Sequence, residues 1–122
     1  IVGNITAPNQ IMKRQAEYFN MTVPALRAEV YPRKGTNKWL VYDFFIYAPS
    51  VQNYSFNLFS IEHDINIYPV EITFNSNDNK NPPFKAKSEK EFIDFLKHIF
   101  NHDSTKHIIS SLIAMGGDMR VL

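Results

Sequence analysis

Trp39-Leu40-Val41-Tyr42-Asp43-Phe44-Phe45-Ile46-Tyr47-Ala48 is the stretch whose reading decides the fold. Nine of its ten residues are apolar or aromatic, and Asp43 is the exception. The types are strand-forming and no Gly or Pro interrupts them. A turn-like Lys34-Gly35-Thr36-Asn37-Lys38 precedes the run and Pro49-Ser50 closes it, which together read as a strand bounded by loops. Side chains alternate across a strand, so Leu40, Tyr42, Phe44 and Ile46 share one face, and Trp39, Val41, Asp43, Phe45 and Tyr47 share the other. Both faces are mostly apolar, as in a central strand with something covering each side.

Working outward, residues 25–33 alternate between apolar Leu26, Ala28 and Val30 and charged Arg27, Glu29 and Arg33. This is a half-exposed strand, and Pro32 places it at a sheet edge. Two further strands are read at about 54–62 and 66–75, beside the central one at 39–48. Registers follow from keeping apolar residues opposite one another. Val30 then faces Tyr42, Ala28 faces Phe44 and Leu26 faces Ile46. Tyr54, Phe56 and Leu58 face Ala48, Ile46 and Phe44. Across a turn at His63–Ile65, Tyr68, Val70, Ile72 and Phe74 face Ser60, Leu58, Phe56 and Tyr54. Every strand then carries its even-numbered residues on the core face, which supports an antiparallel meander in order 1-2-3-4.

Helices flank the meander. Pro8 is tolerated as a first helical residue. Ile11, Met12, Ala16, Tyr18 and Phe19 follow helical spacing over about 9–20, and Pro24 ends the pattern. The polar run Asn75–Pro83 is a loop by composition, and Phe84–Lys87 is compatible with a short extended segment not counted among the four strands. Ser88-Glu89-Lys90-Glu91 has the form of a capping box. It opens a helix over about 89–101 with Phe92, Phe95, Leu96, Ile99 and Phe100 on one stripe. A second helix over about 104–115 carries Ile108, Ile109, Leu112 and Ile113 and ends at Gly116-Gly117. The predicted class is therefore α+β: a four-stranded antiparallel meander with one N-terminal and two C-terminal helices, in a single domain spanning 1–122.

Composition narrows the function classes. The 122 residues are 44% hydrophobic and 20% charged, with a net charge of +1. That balance gives no strong pull toward nucleic acid or membrane. The absence of cysteine excludes a disulfide framework, a thiolate metal site and a cysteine nucleophile, and fits a cytoplasmic setting. No apolar run has the length of a membrane span. No signal-peptide pattern is read at the start, and Ile rather than Met in first place is what a processed form or a piece of a longer protein gives. Glycosylation sequons at Asn4, Asn20 and Asn53 carry little weight in an Asn-rich chain.

Three constellations bear on chemistry. Asp94, His98 and His102 recur every four residues along one helical stripe, a spacing that lets imidazoles chelate a metal. They also occupy the stripe where solvated polar residues belong, and no His-Glu-x-x-His pattern supplies a base. Glu62-His63-Asp64 sits at a predicted turn, where Asp serves the backbone and neighbouring side chains point apart. Basic residues gather loosely as Arg33, Lys34 and Lys38 and as Lys80, Lys85, Lys87 and Lys90. With Trp39 they make a single-stranded nucleic-acid platform a weaker alternative. No catalytic residue and no cofactor is expected.

The odd face is the most informative surface. In the register above, Tyr31, Val41, Ile61 and Ile67 form one row, with Trp39, Phe59 and Phe45 beside it. Glu29 and Asp43 lie directly opposite each other, with Arg27 one diagonal step away to compensate them. An apolar face of this size, unless a helix covers it, marks an interface. The leading expectation is a non-catalytic interaction module, associating with a protein partner or as a homodimer through this face. A metal-dependent protein using Asp94, His98 and His102 is the other alternative.

Overall fold

The computed structural model describes residues 5–35, 39–51, 54–75 and 82–121, with side chains through residue 117. The chain runs α1 (Pro8–Thr22), β1 (Arg27–Lys34), β2 (Leu40–Tyr47), a 3-10 turn (Pro49–Val51), β3 (Phe56–His63), β4 (Val70–Phe74), β5 (Phe84–Ala86), α2 (Glu89–Asn101) and α3 (Asp103–Val121). One antiparallel sheet takes the strands in sequence order, β1-β2-β3-β4-β5. The architecture is α+β with one N-terminal and two C-terminal helices, but the sheet has five strands rather than four. The added strand is Phe84–Ala86, which pairs with β4 through Ile72 opposite Phe84 and Val70 opposite Ala86. Three residues after an Asn-rich loop give too short a pattern to count from sequence.

All three helices pack on one face of the sheet. Met12, Ala16 and Phe19 of α1, Phe92, Leu96 and Ile99 of α2 and Leu112 of α3 join one core with Ala28, Phe44, Ile46, Leu58, Phe59, Ile61, Val70 and Ile72. At its centre Phe44 stacks on Phe59 at 4.9 Å, and Phe100 meets both rings edge-on at 5.6 and 6.2 Å. Phe19 closes the group from α1 at 6.4 Å. Each such buried side chain contributes roughly 1.5–3 kcal/mol.

The strand registers differ from the sequence-based ones in three ways. Between β1 and β2 the parity holds but the pairing slides by two residues, placing Val30 opposite Phe44 and Ala28 opposite Ile46. Between β2 and β3 the pairing of Ile46 with Phe56 is as predicted, but the register shifts between Phe44 and Phe45. Phe45 faces Asn57 while Phe44 faces Phe59, so Leu58 is an extra residue in a bulge. Two asparagines serve the backbone there. Asn75 donates from its backbone to the Leu58 carbonyl at 3.0 Å and from its amide to the Asn57 carbonyl at 2.7 Å. The Asn57 amide, with its nitrogen turned to the bulge, donates to the carbonyls of Phe44 at 3.2 Å and Phe59 at 2.9 Å.

The bulge reverses parity beyond it. Phe59 and Ile61 were expected on the second face, and both lie fully buried on the helix-covered one. Between β3 and β4 the turn is longer than expected. Asp64 organises it, with its side chain accepting from Asn66 N–H at 2.8 Å and its carbonyl from Ile67 N–H at 3.0 Å. Ile61 therefore pairs with Ile72 and β4 begins at Val70. Ile67, expected in a strand row, sits in this turn with φ of 72°, a conformation a β-branched residue rarely adopts.

The helix ends show two further local causes. Ser88 caps α2 by accepting from Glu91 N–H, the forward half of the expected box. Gly116-Gly117 does not end α3, which continues to Val121. Gly116 is a packing residue: a Cβ there would lie 3.0 Å from Ala48 Cβ and 3.4 Å from Ser50 Oγ.

At the sheet edge predicted from Pro32, α1 supplies a clamp. Asn20 Oδ1 accepts from Ala28 N–H at 2.7 Å and its Nδ2 donates to the Ala28 carbonyl at 3.2 Å. One side chain thus makes both bonds that a neighbouring strand would make. The sequon at Asn20 is accordingly spent on the backbone, while Asn4 and Asn53 lie outside the described residues.

Candidate interaction surface

The second face of the sheet carries Arg27, Glu29, Tyr31 and Arg33 from β1, and Val41, Asp43, Phe45 and Tyr47 from β2. Asn57, Ser60 and Glu62 follow from β3, Glu71 and Thr73 from β4, and Lys85 from β5. Its character is mixed rather than apolar, because the bulge removes Phe59 and Ile61 from it. What survives of the expected apolar surface is a strip on β1 and β2. Tyr31 is 50% exposed and packs edge-on against the half-buried Phe45 at 6.0 Å. Val41 is buried among its neighbours and Tyr47 is half-buried. Trp39 is half-buried just before β2.

Asp43 anchors the polar part. It is 6% exposed, and a carboxylate so placed needs bonded partners. Arg33 Nε donates to its Oδ2 at 2.7 Å and Ser60 Oγ to its Oδ1 at 2.5 Å. The Asp43 carboxylate in turn raises the Arg33 pKa through that hydrogen bond. Glu29 does not face Asp43 as expected. Tyr31 takes that place, and Glu29 faces Phe45. Arg33, not Arg27, is the cation that answers Asp43, because the two-residue slide in register brings it alongside. The hydroxyls of Tyr31 and Tyr47 both donate to Glu29, the latter at 2.8 Å. These two bonds, with help from the Arg27 charge, hold the Glu29 carboxyl below the ordinary carboxylate range, and they push both phenols upward.

Beside this network Glu62 and Glu71 face each other across β3 and β4. They line a shallow depression of about 110 Å³ with Arg33, Ser60 and Thr73. Lys85 lies 3.7 Å from Glu71 and offsets part of the like-charge repulsion.

The other sequence candidates are placed elsewhere. Asp94 pairs with Lys90 at 2.9 Å, one turn back along α2. His98 and His102 stand edge to face at 5.6 Å beside Phe95 and Phe74. They border a hollow of about 330 Å³ that also takes in Pro82, Pro83 and Phe84. His102 Nδ1 accepts from Ser104 N–H at 3.1 Å, so this ring caps α3. Among the described residues no three His, Cys, Asp or Glu side chains converge to hold a metal. His63 is buried, stacked on Tyr42 with its Nδ1 bonded to the Asp64 carbonyl, while Glu62 points to the opposite face. Of the basic residues, Arg33 bonds Asp43 through its Nε, Lys85 faces Glu71 and Lys90 faces Asp94. Lys38 and Lys80 lie outside the described residues. Among the described residues no helix is long and apolar enough to cross a membrane.

Sequence reading missed Tyr47, Asn57 and Ser60 as members of the network. The available signal was Asp43 itself, since a carboxylate within an apolar strand must find donors on adjacent strands. No protein-family model matches the chain, and no curated protein or solved structure matches it.

Proposed function

We propose that the chain is a non-catalytic protein-interaction module whose contact surface is the open face of its sheet. The observation that carries this reading is one-sided packing. Three helices cover one face, and among the described residues the other presents Tyr31, Phe45 and Tyr47 with side chains of the sheet itself around them. A sheet normally buries both faces or leaves one plainly polar. An exposed tyrosine beside two half-buried aromatic rings, rimmed by charges, is instead the composition of an interface. The polar groups also favour binding over catalysis. Asp43, Glu29 and Glu71 are engaged with Arg33, with two phenols and with Lys85, which orders the surface and leaves these groups committed to one another.

The test is affinity capture by the wild type, by Tyr31→Asp and by Lys97→Asp, the last on the exposed side of α2. With circular dichroism unchanged for all three, Tyr31→Asp loses its captured proteins and Lys97→Asp keeps them. Retention of every captured protein by Tyr31→Asp contradicts the reading.

A further inference from the structure

We infer that the occupant of the open face is a second copy of this chain, packed face to face about a two-fold axis running along β2. The inference rests on the module reading and adds the partner. Its basis is the charge pattern in register. Arg33, Val41 and Glu62 stand in one row on β1, β2 and β3. Arg33 and Glu62 are thus each one strand from β2, on opposite sides and at the same height. A two-fold along β2 exchanges these positions, so Arg33 of each copy meets Glu62 of the other and the ion pair forms twice. Among the described residues Arg33 has donors to spare. Only its Nε is engaged by Asp43, its side chain is 56% exposed, and the guanidinium carries four further N–H groups.

The axis also sorts the apolar residues. Phe45 and Tyr47 lie on β2, so each meets its own copy in the middle of the interface, as expected of an isologous contact with an apolar centre and a polar rim. Asp43 lies on the axis too, but it is recessed and already neutralised by Arg33.

Two other observations favour this occupant. Cations and carboxylates nearly balance on the face, which suits a surface of matching pattern better than a strongly charged partner. Pairing through the β1 edge is discouraged, because Asn20 occupies the backbone of Ala28 and Pro32 has no N–H to offer.

The chain has no cysteine, so single-cysteine variants give a clean readout. Facing sheets lie about 10 Å apart. Phe45→Cys and Tyr47→Cys, both on the axis, are therefore cross-linked to their own copies by a bis-maleimide of about 8 Å span, since each side chain reaches inward. Thr73→Cys lies two strands away, which puts its copy about 19 Å off laterally, out of reach. Sedimentation equilibrium is expected to give a dimer for the wild type, weakened at least tenfold in Glu62→Arg. A wild type that sediments as a monomer at the highest concentration, or Thr73→Cys cross-linking as readily as Phe45→Cys, overturns the inference. If that monomer still captures other proteins and loses them in Tyr31→Asp, the interaction module stands and self-association alone falls.

Discussion

Glu29 is held ionised by two phenols, and that arrangement has a measurable consequence. The folded-state pKa of this carboxyl lies below its unfolded value because Tyr31 and Tyr47 donate to it. The linked stabilisation is therefore complete above the unfolded pKa of about 4.3 and disappears as the pH falls through the folded value. Replacing both donors, Tyr31→Phe with Tyr47→Phe, should raise the Glu29 pKa toward its unfolded value in a carboxyl-carbon NMR titration. The stability difference from wild type should be present at about pH 7 and shrink toward about pH 2 as Glu29 takes up its proton. A difference of the same size at both values would mean that the phenols act by packing alone. Tyr31 is half exposed, so solvent screens the effect and it will be small. Asp43 is the sharper residue, because burial leaves it dependent on Arg33 and Ser60. Its presence in the central strand was legible as an anomaly, but the identity of its cation was not, because Arg27 and Arg33 differ only through a register slide that preserves parity.

At the scale of elements, legibility followed periodicity and failed where periodicity permits two answers. The stripe of Phe92, Leu96 and Ile99 admits one helical face, and α2 occupies Glu89–Asn101. The segment Phe56–Ile61 admits two strand faces, since Leu58, Phe59 and Ile61 are all apolar. Only a tertiary demand decides between them: Phe59 is needed beneath Phe44 and Phe100, and the bulge at Leu58 delivers it. Asn57 and Asn75 were the local signature of that bulge, hidden in a chain rich in asparagine. The glycine pair misled for a similar reason, since a stop signal and a packing requirement use the same residue.

That distinction predicts opposite signs for two adjacent substitutions. Gly117 has nothing within 4 Å of a Cβ, so Gly117→Ala should stabilise by about 0.5–1 kcal/mol through helix propensity. Gly116→Ala gains the same propensity but presses against Ala48, whose Cβ moves only with its backbone. Overpacking of this kind costs about 1–3 kcal/mol, leaving a net loss. Urea denaturation of both variants checks the pair, and two stabilised proteins would mean that α3 yields at Ala48 without cost.

For the whole molecule, the division of labour between the two sheet faces is the main result. The helix-covered face holds the aromatic cluster and most of the apolar burial. The second face holds an ordered array in which Asp43, Glu29 and Glu71 are engaged, aromatic edges are presented and the adjoining β1 edge is clamped by Asn20. In the proposed contact such an array favours a defined orientation more than raw affinity. Of the odd-numbered residues read from sequence as one apolar face, Tyr31, Val41 and Phe45 lie on the second face of the sheet and Phe59 and Ile61 lie in the core, so the β1–β2 strip carries the proposed contact. Hydroxyl-radical footprinting of the chain, dilute and then concentrated or with its captured partner, tests this most directly. Tyr31 and Phe45 should become protected on association while Tyr18 on α1 and Tyr54, each 61% exposed, stay reactive. Protection of Tyr18 with Tyr31 left reactive would place the contact on the helices and contradict an interface on the open sheet face.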